Sequence, residues 1–78
     1  MARVRFVVEG PQCAQIGKGL RENAFLENLE IDLRSEKGWF RETIFGTVTG
    51  KDGNVAIFME ALQRTVDDDN SYRLSRVK

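Results

Sequence analysis

At 78 residues, with 41% hydrophobic and 31% charged positions, the chain has the composition of one small globular domain spanning 1–78, not of a disordered segment. Twelve basic and twelve acidic residues cancel, which argues against bulk electrostatic binding to nucleic acid or an anionic bilayer and leaves only local charge clusters. Cys13 is the single cysteine, so no internal disulfide can form, and without histidine the chain lacks a convincing zinc site and the commonest general base.

Arg3 to Glu9 alternates as a strand does, with Val4, Phe6 and Val8 on one face and Arg3, Arg5 and Val7 on the other. Gly10-Pro11 ends it, because proline offers no ladder donor. From about Gly17 to Asn28 the period becomes helical: Ile16, Leu20 and Ala24 fall on one side, with Phe25 at its edge. Leu29, Ile31 and Leu33 then alternate with Glu30, Asp32 and Arg34, a half-buried strand. Ser35-Glu36-Lys37-Gly38 reads as a turn, and Trp39 to Thr49, rich in aromatic and β-branched residues, as the returning strand. On that strand Phe40, Ile44 and Val48 share one face, and Trp39, Arg41, Thr43, Phe45 and Thr47 the other.

Asp52 has the chemistry of an N-cap for a second helix, whose stripe of Val55, Phe58, Met59, Leu62 and Val66 is the clearest in the chain. Asp67-Asp68-Asp69-Asn70 makes a polar loop, because consecutive carboxylates do not converge on a cation as alternating ligands do. A last strand runs from about Tyr72 to Val77. Strand, helix, strand, strand, helix, strand predicts an α+β, ferredoxin-like βαββαβ sandwich: a four-stranded antiparallel sheet with two helices on one face. No apolar run nears the roughly 20 residues that cross a bilayer. The opening Met1-Ala2-Arg3-Val4-Arg5 is no signal peptide, so a cytoplasmic location without a membrane partner is expected.

Two places could carry function. The stretch Gly10-Pro11-Gln12-Cys13-Ala14-Gln15-Ile16-Gly17-Lys18-Gly19-Leu20-Arg21 leaves a strand through glycine and enters a helix. Such a loop can aim free backbone N–H groups at an anion, with Lys18 and Arg21 adding charge. The same stretch resembles the phosphate loop of the acylphosphatases, Gly-x-Val-Gln-Gly-Val-Gly-Phe-Arg: Gly10 matches directly, Gln15, Gly17 and Lys18 within one residue, and Gly19-Leu20-Arg21 is close to Gly-Phe-Arg. That resemblance implies a phosphate-binding loop over Gln12–Lys18 and Arg21, no cofactor and no metal. It also implies a water-orienting asparagine before the hairpin turn, where this chain has Ser35. Losing that amide removes positioning from a reaction that depends on it, so a non-catalytic or barely active domain for small-anion or protein recognition is expected. An atypical acylphosphatase using Lys18, Arg21 and Ser35 is the alternative.

The second place is the sheet face away from the helices, where Arg3, Arg5, Trp39, Arg41 and Phe45 are expected together. Aromatics among arginines could stack on RNA bases, a second alternative weakened by Glu30, Asp32 and Glu42. A protein partner or homodimer, through this face or an edge strand, is the stronger expectation, since an uncovered face holding Trp and Phe invites association.

Overall fold

The pairing that organises the molecule runs down its middle strand. In a computed structural model describing residues 1–11, 14–69 and 71–77, the side chains of Ala14 and Gln15 excepted, β1 (Ala2–Gly10) pairs antiparallel with strands on both sides. Its neighbours are β3 (Glu42–Gly50) and β4 (Arg73–Val77); β2 (Glu30–Lys37) lies outside β3, giving the order β2-β3-β1-β4. Helices α1 (Ala14–Leu26) and α2 (Asp52–Asp67) connect these strands, so the element order is βαββαβ and the fold is ferredoxin-like.

The core lies between sheet and helices. Phe6 and Val8 of β1 and Ile44 and Val48 of β3 are each 3% exposed or less, as their alternation requires. Leu20 and Ala24 of α1 and the whole stripe Val55, Phe58, Met59, Leu62 and Val66 of α2 close over them. The Phe6 and Phe58 rings meet at 6.2 Å between centroids, tilted by 48°, a favourable aromatic geometry. Phe25 departs from its expected place at the edge of the apolar side and is 80% exposed.

The end of α1 explains how the chain turns into β2. Asn28 takes φ 55, while the Leu29 N–H donates to the Ala24 carbonyl at 2.8 Å and the Asn28 N–H to that of Phe25 at 3.2 Å. These are the paired bonds of a Schellman ending, with asparagine tolerated in the left-handed position. Asn54 Nδ2 donates to the Glu27 carbonyl at 3.1 Å and ties this turn to α2.

Three boundaries differ from the sequence reading. Helix α1 begins at Ala14, not Gly17, because Gly17 and Gly19 both keep negative φ and continue the helix. Asp52 is the first helical residue and Lys51 the N-cap, with no side-chain cap bond; the Asp52 carboxylate acts on the helix dipole from the first turn. The hairpin turn lies three residues later than expected. Ser35 pairs with Ile44, Glu36 with Thr43 and Lys37 with Glu42, extending the ladder through the predicted turn. The reversal falls at Gly38–Arg41, where the Gly38 N–H donates to the Arg41 carbonyl at 2.7 Å. Trp39 and Phe40 are therefore the tip of the hairpin, not strand residues, and Phe40 is 88% exposed.

Candidate anion cleft and open sheet face

Gly17, Lys18 and Arg21 on α1 and Leu33, Ser35 and Lys37 on β2 come together around one cleft of about 360 Å³, completed by Glu42 and Ile44 of β3. Each set follows from local geometry. Lys18 and Arg21 stand three residues apart on a helix and share a face, and Leu33, Ser35 and Lys37 are alternate strand residues on the helix-bearing side of the sheet. Gly17 supplies the opening: a Cβ there would meet Ile44 Cδ1 at 3.6 Å, so a longer side chain would occupy the floor. The floor is apolar, from Leu33 and Ile44, and the rim carries three cations against the single carboxylate of Glu42, the cross-strand partner of Lys37. A guanidinium, two ammonium groups and a hydroxyl around an apolar floor suit an anion that also carries a short carbon skeleton.

The expected loop of free amides has a different form. Gln12 and Cys13 lie outside the described residues. Ala14, Gln15, Ile16, Gly17 and Lys18 belong to α1, so from Lys18 onward the backbone N–H groups are turned into the helix ladder and only those of the first turn are free of it. Ile16 packs against the core and serves the fold. What the cleft offers an anion is thus chiefly side-chain charge. Among the described residues its lining holds no carboxamide; Ser35 is there, exposed on β2. Lys37 was missed because the expected turn placed it off the strand; the Ser35-x-Lys37 alternation becomes visible once the strand is extended by three residues.

The open face carries Arg3, Arg5 and Phe45, but Trp39 and Arg41 lie in the hairpin connection and leave the expected cluster incomplete. Across this face Arg3 aligns with Thr49 and Glu30, and Arg5 with Thr47 and Asp32. A row of cations on β1 therefore faces a row of carboxylates on β2 over a neutral threonine strand. A shallow groove lined by Arg5, Val7, Asp32, Arg34, Phe45 and Val77 crosses it, with the Arg34 guanidinium 5.2 Å from the Phe45 ring centroid. The Arg34 guanidinium thus lies over Phe45, the one aromatic that this face presents among the described residues. Among the described residues no cluster of metal-ligating side chains occurs, and no helix is long and apolar enough to cross a membrane.

No protein-family model matches the chain, and no curated protein matches it in sequence. Solved structures match it in fold. It superposes on the de novo designed protein Foldit4 with a TM-score of 0.81 at 11% identity, over 96% of this chain and 91% of that one. An ACT domain protein from Streptococcus pneumoniae is similar at TM-score 0.64 and 16% identity, over 96% of this chain and 86% of that one. A formyltetrahydrofolate deformylase from Pseudomonas putida KT2440 gives a TM-score of 0.70 at 11% identity, over 99% of this chain and 29% of that one. At these identities the likeness establishes the ferredoxin-like fold, shared with ACT-type domains, and says nothing of chemistry. The likeness to acylphosphatases is left resting on element order and loop residues, with neither a family model nor a sequence match behind it.

Proposed function

We propose that this chain is a recognition domain for a small phosphate-like or carboxylate anion, bound in the cleft between α1 and the β2–β3 hairpin. The observation that carries the reading is the convergence of Lys18, Arg21, Ser35 and Lys37, from two separate elements, on one concavity with an apolar floor. Arg21 offers a fork for two anion oxygens, Lys18 and Lys37 neutralise charge from either side, and the Ser35 hydroxyl donates to a further oxygen. Glu42 disfavours the most highly charged ligands and leaves room for one that brings its own cation or donor. Binding proceeds without turnover in this reading, because the described lining contains no amide to hold an attacking water.

The test is an amide NMR titration with inorganic phosphate and with acetyl phosphate. Shifts concentrated at Gly17, Lys18, Arg21, Ser35 and Lys37, with acetyl phosphate decaying no faster than in buffer, are the expected result. Millimolar phosphate that leaves those amides unmoved would dispose of the cleft as a site. Hydrolysis that is lost on Arg21→Ala would restore the enzyme reading.

A further inference from the structure

The β2–β3 tip carries two large aromatic side chains in the open. The Gly38 N–H bond to the Arg41 carbonyl leaves Trp39 and Phe40 as the two central residues of a tight hairpin. Both keep negative φ, since Asn28 is the only non-glycine with positive φ among the described residues, so the turn is not of the primed type and accepts side chains. The two aromatics pack on nothing: Trp39 is 96% exposed and Phe40 88%. Two adjacent exposed aromatics that add nothing to the core mark an interaction site.

The charge around the tip indicates what covers it. Lys37 and Arg41 flank the aromatic pair, and Lys37 also lines the cleft that holds Lys18 and Arg21, so four cations lie on the tip and the cleft beside it. Of the nearby acids, Glu36 is already paired with Arg34 at 3.4 Å, and Glu42 faces Lys37 across the ladder. A protruding tryptophan and phenylalanine ringed by lysine and arginine have the polarity of the bilayer interface, where indole sits at headgroup depth and cations reach lipid phosphates. A second copy fits less well. Tip against tip, two copies would bring the same cations of both molecules together and repel.

We propose that this hairpin tip docks the domain on an anionic bilayer surface, with Trp39 and Phe40 entering the interfacial layer and Lys18, Arg21, Lys37 and Arg41 engaging lipid phosphate groups. The expected absence of a membrane partner rested on the lack of a spanning run and on a net charge of zero, which still leaves a local cluster of cations able to act. Peripheral docking needs no such run, only apolar area and matched charge.

Trp39 is the sole tryptophan, so its fluorescence reports the tip alone. Vesicles of phosphatidylcholine with roughly one-third phosphatidylserine should shift its emission to the blue, and brominated acyl chains should quench it. Pure phosphatidylcholine should do neither. In co-sedimentation, the double variant Trp39→Ser/Phe40→Ser should bind at least about tenfold more weakly, and Lys18→Ala/Arg21→Ala should weaken binding severalfold without abolishing quenching at saturation. Circular dichroism of the tip variant should match the parent, since neither ring packs on the core. Unchanged emission at millimolar anionic lipid overturns the proposal. So does a blue shift that follows protein concentration or added oligonucleotide in the absence of vesicles, which would assign the tip to a second copy or to nucleic acid.

Discussion

Gly46 lies directly under the ring of its cross-strand partner Phe6, so close that a Cβ built there would overlap three ring carbons. The ring cannot retreat, because Phe6 is 1% exposed and is held against Phe58 on the other side. Gly46→Ala must therefore shift the Phe6 ring or the sheet, as overpacking does, at a cost of about 1–3 kcal/mol. A urea melt should show the midpoint falling with an unchanged slope. In a domain this small, whose core supplies roughly 3–5 kcal/mol in all, that loss should leave a detectable unfolded population.

Gly19 presents the opposite case. It sits inside α1 with negative φ, and a Cβ there would meet nothing within 4 Å. Gly19→Ala should stabilise the domain by about 0.5–1 kcal/mol through reduced freedom of the unfolded chain and better helix propensity. Thermal denaturation checks this, and a fall in midpoint would mean that the glycine serves a purpose the helix itself does not explain.

These two glycines show where sequence patterns carry information and where they do not. The α2 stripe was legible residue by residue, since Val55, Phe58, Met59, Leu62 and Val66 are all buried, and the same holds for Val8, Ile44 and Val48 in the sheet. Burial periodicity is written into composition, so element order and fold class followed from it. Turn placement was not. Ser35-Glu36-Lys37-Gly38 has loop composition, yet its first three residues pair with Ile44, Thr43 and Glu42 because the ladder outcompetes local preference. That slip of three residues moved Trp39 and Arg41 off the sheet face and hid Lys37 from the anion cleft. Lys18, Arg21 and Ser35 were named from their chemistry and the resemblance; that they share a cleft follows from α1 lying across β2, which spacing alone does not encode.

Asn28 closes α1 in the left-handed region, where a β-branched side chain meets the backbone. Asn28→Val should cost about 1–2 kcal/mol, whereas Asn28→Gly should be neutral or slightly stabilising. The pair should be compared by chemical denaturation together with hydrogen exchange at Leu29. Its N–H bond to the Ala24 carbonyl at 2.8 Å should lose protection only in the valine variant. Equal losses in both variants would mean that the asparagine side chain, not its backbone conformation, holds the turn.

The cleft makes a graded prediction, because its cations differ in how they hold an anion. Lys18→Ala and Arg21→Ala should each weaken phosphate binding by about three- to tenfold, the range expected of exposed charge-assisted bonds worth roughly 1 kcal/mol. Arg21→Lys should recover only part of the loss, since an ammonium cannot grip two oxygens at once. Lys37→Glu should do more harm than either alanine change, because it places a second carboxylate opposite Glu42 and turns attraction into repulsion. Raising ionic strength should compress all of these differences, as the side chains are exposed and screened. Affinities from NMR titration at two salt concentrations give the comparison. If Arg21→Lys binds phosphate as the parent does, the guanidinium is not a two-point grip, and the cleft is a diffuse field of positive charge.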